Sequence, residues 1–218
     1  MADNHNQLID KGFPVIRGWT VVLFLAVLAA LLVPAVWLVR DRGMVAVITV
    51  FFAVSLLAVA AAVAPMGRNA LPALGFRAAG WRPIVLGTLA TAALSFAVSQ
   101  VGLEPQGMKE AVKIAREPAL FAASLLLLAG LAPLVEELVF RGLIYGWLAN
   151  RWGSVVAWIA SSLAFAAAHV ELAHVILVLP LGLWFGWLRW RTNSLWPSLV
   201  AHVVNNGLAI AAAALLDA

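Results

Sequence analysis

The sequence predicts an all-α fold: a polytopic bundle of about seven transmembrane helices. Three observations predict it. Apolar residues make up 64% of the 218-residue chain, and charged residues only 11%, against roughly a quarter in soluble domains. The mean hydropathy is +1.00. The apolar residues also gather into runs near the ~20 residues that a helix needs to cross a hydrocarbon core.

The runs fall at 18–39, 44–65, 83–103, 118–149, 154–172, 174–190 and 194–216. All read as helices, because a bilayer offers no water to satisfy open backbone groups. The first run has no small-residue cleavage site behind it and reads as a retained helix rather than a signal peptide. The run 118–149 is too long for one simple span. It either projects beyond the bilayer or bends near Gly130 and Pro133. The segment 104–117 reads as a short surface helix. Residues 1–17 form a polar tail, 18–117 three transmembrane helices with a connecting loop, and 118–217 the core that carries the chemistry, all within one membrane domain.

Composition excludes several functions. The chain has no cysteine, so disulfides, thiolate metal sites and cysteine nucleophiles are ruled out. Its net charge is +4, but the basic residues are scattered over short loops, with no basic tract and no phosphate-cradling glycine loop. Nucleic acid is therefore not an expected partner. The expected partners are membrane lipid and a membrane-associated protein or peptide. No internal repeat appears, which disfavours a transporter built from duplicated halves.

Loop charges set the expected orientation. With the N-terminus inside, Lys11, Arg17, Arg68, Arg77, Arg82, Arg151, Arg189 and Arg191 lie on the inner side. Arg40, Arg42, Lys109, Lys113 and Arg116 lie on the outer side. Eight against five favours N-in and C-out. Trp147, Trp152, Trp187, Trp190 and Trp196 gather at turns on one face, as an aromatic belt would.

An ionisable residue inside a span costs about 2.5–3.5 kcal/mol on insertion scales and marks a candidate functional site. The spans hold Glu136, Glu137, Arg141, His169, Glu171, His174 and His202, with the amides Asn205 and Asn206. Helical spacing sorts them. Glu137 and Arg141, four apart, share a face and can pair, whereas Glu136 lies about 100° away and needs another partner. Phe165 and His169 share a face, as do His202 and Asn206; Asn205 is expected to face away from Asn206. Counted from the turn at 150–153, Glu136 and His169 lie about 22–24 Å deep, His202 about 13 Å and Asn206 about 20 Å. The groups converge on one layer, around a gap expected to be about the size of one water.

Three ordered motifs on separate helices, Glu136-Glu137-x-x-x-Arg141, Phe165-x-x-x-His169 and His202-x-x-x-Asn206, resemble the pattern of the CPBP family. That family includes CaaX-processing endopeptidases and proteins linked to bacteriocin processing and immunity (the Abi group). The resemblance covers about residues 118–217. It implies an intramembrane glutamic endopeptidase that needs no cofactor or metal, set in a bacterial cytoplasmic membrane. Glu136 with His169 would activate a water, and His202 with Asn206 would donate hydrogen bonds to the oxyanion. Glu137 and Arg141 would brace the helix, Glu137 helping also to orient the water, and Phe165 would pack beside His169 or line the substrate path.

Two rival readings stand beside this one. A zinc protease could assemble Glu136, His169 and His202, although H-E-x-x-H is absent and His169 and His174, five apart, do not share a helix face. A non-proteolytic immunity or partner-binding protein could keep the same bundle.

Overall fold

The computed structural model describes residues 14–215, and within them every regular element is helical. Residues 1–13 of the polar tail, with Lys11, lie outside the described residues, as do 216–217 of the C-terminal core. The helices are α1 (Gly18–Val39), α2 (Met44–Val63), the short α3 (Ala70–Leu74), α4 (Trp81–Ser99) and α5 (Gln106–Arg116). They continue with α6 (Pro118–Trp152), α7 (Ser154–Ala167), α8 (Leu172–Thr192) and α9 (Trp196–Leu215).

Among the described residues, six helical segments are long and apolar enough to cross a membrane. The chain is an integral membrane protein. The seventh apolar helix, α7, has 14 residues, about 21 Å at the α-helical rise, short of a ~30 Å core. It stops inside the bundle and turns at Ala168–Glu171. Large apolar side chains on the outer helices point away from the protein, among them Val33 (72% exposed), Phe96 (71%) and Leu126 (73%). Lipid is the solvent such a surface requires.

The long run is one helix of 35 residues that changes pitch twice. Leu125–Leu131 and Glu137–Ile144 are π-helical, with α-helical turns before, between and after them. Gly130 lies in the first π stretch and Pro133, which lacks an N–H, just after it. Wide turns of this kind cluster at functional sites; here the second begins at Glu137.

Small residues let α6 sit deep in the bundle. A Cβ on Gly142 would lie 2.9 Å from Leu74 Cδ2, and one on Gly146 2.9 Å from Ile16 Cγ1. Ile16, Phe24, Ala58, Val59, Leu74, Leu138 and Leu143 belong to one buried core that joins α1, α2 and α3 to α6. On the other side, Gly182 and Gly186 of α8 face α7. Added Cβ atoms there would come within 2.8 Å of Phe165 Cδ1 and 2.5 Å of Ser162 Oγ. This is the small-xxx-small packing of membrane helices.

Several charges expected in loops lie at helix ends, among them Arg82, Arg151 and Arg191, and one of them is buried. Arg189 is not in a loop but inside α8, and it is 2% exposed. Its Nε donates to the Arg141 carbonyl at 3.1 Å and its Nη1 to Asn193 Oδ1 at 3.2 Å. Gly75, in the left-handed region at φ 102, leaves room for it: a Cβ there would lie 2.8 Å from Arg189 Nη2. Arg77 lies half-buried in the same loop, and burial together with the nearby Arg189 cation brings its guanidinium down to about 10. The tryptophans also divide. Trp152 and Trp196 are exposed, whereas Trp190 stacks on Trp158 and Trp187 on Trp184.

Candidate active site

Glu136, His169, His202 and Asn206 lie on the wall of one cavity of about 470 Å³ between α2, α4, α5, α6, α7, α8 and α9. That is far larger than a single water, which occupies about 30 Å³; the gap expected from sequence is instead a chamber with room for a peptide segment. Its wall is mainly apolar, including Phe52, Leu128, Leu181 and Ile210.

Glu136 ends the α-helical turn of α6 that precedes the second π stretch. Its side chain is 22% exposed and its Oε2 lies 3.5 Å from His202 Nε2. Glu137, the next residue, is fully buried. Its Oε1 lies 3.2 Å from Arg141 Nη1 and 3.1 Å from His202 Nδ1. Arg141, also fully buried, donates from Nη2 to the Gly182 carbonyl at 2.8 Å. Its guanidinium carbon lies 4.3 Å from the centre of the Phe165 ring. The aromatic face and the carboxylate offset part of the cost of burying this cation, while Arg141 Nε and Nη1 and Glu137 Oε2 have no hydrogen-bond partner among the described residues.

The two histidines are held differently. His169 follows α7, where the backbone leaves the helix. Its Nδ1 donates to the Phe165 carbonyl at 3.0 Å, since a carbonyl can only accept. In the neutral ring Nε2 is then the acceptor. Phe165 packs edge-on against it, ring centres 5.0 Å apart. The next residue, Val170, has φ 61, and Glu171 N donates back to the His169 carbonyl at 2.6 Å. This three-residue turn with a β-branched centre at positive φ is strained. His202 sits on α9 at 5% exposure. Phe185 stacks on its ring, 4.6 Å between centres and 22° between planes.

Asn206 donates from Nδ2 to the Leu128 carbonyl at 3.0 Å, in the first π stretch of α6. Asn205 does not face away. It also lines the cavity and donates to Asn206 Oδ1 at 3.4 Å. The cavity is wide enough to take in neighbours about 100° apart on α9. His174 lines it too, its ring 4.5 Å from that of His169. Glu171 instead reaches α5, where its two oxygens accept from Gln106 N at 3.0 and 2.9 Å. Helix α5 bears Lys109, Glu110 and Lys113 on exposed positions and turns Gly107, Met108 and Ala111 to the cavity.

Among the described residues, no three His, Asp or Glu side chains gather as a group able to hold a metal ion.

The fold and site define a class: a helical membrane protein with a carboxylate, imidazoles and amides on the wall of an apolar chamber. Residues 118–208 match a family described as Type II CAAX prenyl endopeptidase Rce1-like. A stretch of 74 residues is 34% identical to "Putative membrane peptidase YdiL" of Bacillus subtilis (strain 168), covering 34% of this chain and 30% of that protein. The chain thus matches under a third of that relative's length. No solved structure matches. The family match spans 91 of the 218 residues and contains all three motifs, Glu136-Glu137-x-x-x-Arg141, Phe165-x-x-x-His169 and His202-x-x-x-Asn206.

Proposed function

We propose that the chain is an intramembrane endopeptidase that hydrolyses a peptide bond of a membrane-associated protein or peptide with a glutamate-activated water. The observation that carries this reading is one chamber whose wall holds Glu136, His169, His202 and Asn206 in an otherwise apolar bundle. Hydrolysis by water needs a base for the nucleophile and donors for the oxyanion. Glu136 is the base, and His169, with Nε2 left as acceptor, holds the same water. The π stretches of α6 and the core around Gly142 and Gly146 fix where Glu136 stands.

Asn206 keeps one amide hydrogen after donating to Leu128 and offers it to the oxyanion. His202 can add a second donor only through Nε2, because Nδ1 is engaged by Glu137. A preorganised donor of this type is worth about 10²–10³ in rate. The reaction as drawn uses no metal.

The test compares membranes from cells that express the wild-type chain or Glu136→Gln, sequencing the ends of membrane-associated peptides and proteins. The proteolytic reading expects a new terminus present only with the wild type. Equal termini in both, with the protein's biological effect intact in the variant, would favour the partner-binding reading.

A further inference from the structure

Glu137 is expected from sequence to brace its helix and help orient the water, yet its contacts reach beyond α6 to His202. Glu137 does not line the chamber. Its side chain is fully buried between Arg141, at 3.2 Å, and His202 Nδ1, at 3.1 Å. On the opposite edge of the same imidazole, Nε2 lies 3.5 Å from Glu136 Oε2. Phe185 stacked on the ring face and Phe165 edge-on at 5.9 Å leave the ring little room to turn. One imidazole therefore spans two consecutive carboxylates, one paired to a guanidinium and sealed, the other open to the chamber.

We infer that Glu137 is a positioning residue: it fixes His202 with its Nδ1–H toward the buried carboxylate and its Nε2 toward Glu136, so that His202 receives the proton that Glu136 takes from water. The inference rests on the proteolytic reading and assigns His202 more than a standing oxyanion donor. The neutral ring so held has a lone pair on Nε2 and cannot donate there. When Glu136 removes a proton from the water, the hydroxide oxygen bonds to the scissile carbonyl carbon and the carbonyl oxygen takes the negative charge. The proton on Glu136 then passes to His202 Nε2. That step restores the Glu136 carboxylate and makes an imidazolium, which the Glu137 carboxylate stabilises. The new Nε2–H is a donor from the moment the oxyanion exists. On collapse of the tetrahedral centre the C–N bond breaks and the same proton goes to the leaving nitrogen. His202 returns to its neutral form, and the balance is one water consumed per bond. A separation of 3.5 Å is long for direct transfer, but catalytic hydrogen bonds commonly tighten only with substrate in place. Arg141 Nη1, 3.2 Å from Glu137 Oε1, anchors the carboxylate that holds the ring.

The first test needs no substrate. Nitrogen-15 spectra of histidine-labelled protein in detergent, with the His202 signals assigned from their loss in His202→Asn, report which ring nitrogen carries the proton. A neutral His202 ring protonated at Nδ1 in the wild type supports the inference; one protonated at Nε2 overturns it. The second test is a double-mutant cycle on a fluorogenic peptide that spans the cut found in the membrane comparison. Glu137→Gln lowers kcat by about 10²-fold with KM unchanged, and has no further effect in the His202→Asn background. A helix brace would give additive losses in the two backgrounds, and additivity refutes the assignment. Should Glu137→Gln alone fail to fold because Arg141 is stranded, the pair Glu137→Gln/Arg141→Met removes the unpaired cation and takes its place in the cycle. A wild-type protein that cleaves while the cycle is additive defeats this inference alone. A wild-type protein that never cleaves defeats the proteolytic reading, and the spectra still decide the tautomer.

Discussion

Arg189 Nε donates to the backbone carbonyl of Arg141 at 3.1 Å, so one buried arginine holds the peptide group of another. The bond joins α8 to the π stretch that carries Glu137, and Gly75 makes room for it. Arg189→Lys keeps the charge but loses the planar fork. Hydrogen bonds from a charged group contribute about 1.5–3 kcal/mol each. We expect Arg189→Lys to lower the thermal midpoint in detergent, and Gly75→Ala to lower it as well, by crowding the guanidinium and straining a positive φ. Midpoints equal to wild type for both would show that this contact does not hold the site together.

The contact of α7 with α8 makes a second prediction. A Cβ at Gly182 would press on Phe165, and one at Gly186 on Ser162 and Trp158. Overpacking of this kind costs about 1–3 kcal/mol. Gly182→Ala should also reduce activity, because Phe165 carries both the Arg141 and the His169 contacts. Gly207→Ala, whose Cβ would meet Ala129 Cβ at an ordinary 3.9 Å, is the control and should unfold like wild type. Thermal unfolding of the three variants, read beside cleavage, checks this.

Val170 sits at φ 61 directly after His169. A β-branched residue there stores about 1–3 kcal/mol of strain, which Gly would relieve. Val170→Gly should thus unfold at a temperature no lower than wild type, while the freed turn holds His169 less firmly and cleavage falls. A variant that is both less stable and fully active would contradict the role given to this turn.

Glu171 accepts twice from Gln106 N at the start of α5. Glu171→Ala should raise amide hydrogen exchange across residues 106–116, with α9 unchanged apart from the end that Arg116 contacts at the Ala213 carbonyl. Unchanged exchange in α5 would mean that Glu171 does not tether it.

The parts of the fold and site that could be read from sequence are those where chemistry contradicts its surroundings. Glu136, His169, His202 and Asn206 stand out because ionisable and amide groups are costly in apolar runs, and their spacing sorts them by face. The surface helix 106–116 was legible in its alternation of charged and apolar residues. Asn205 was misplaced because a helical wheel gives direction but not the width of the chamber it faces. Arg189 reads as a loop charge because it lies at the end of the run 174–190 beside Arg191, and its burial against α6 follows only from the packing. The turn at Val170 carries no glycine or asparagine to announce a positive φ. Gly130 and Pro133 mark the first π stretch in the sequence, whereas the second, Glu137–Ile144, carries no proline to mark it. The glycines at 182 and 186 did carry a small-xxx-small signal, which went unused beside the ionisable residues. The link from Glu137 to His202 crosses 65 positions and follows only from the packing of α9 against α6.

The measurement that bears most directly on the account is cleavage of the identified peptide by purified, metal-stripped protein in the presence of a chelator, wild type beside Glu136→Gln. The account predicts turnover by the wild type under chelation, and a loss of about 10²-fold or more in the variant with an unaltered unfolding midpoint. Wild-type turnover by Glu136→Gln, or chelator-sensitive cleavage that zinc alone restores, would contradict it.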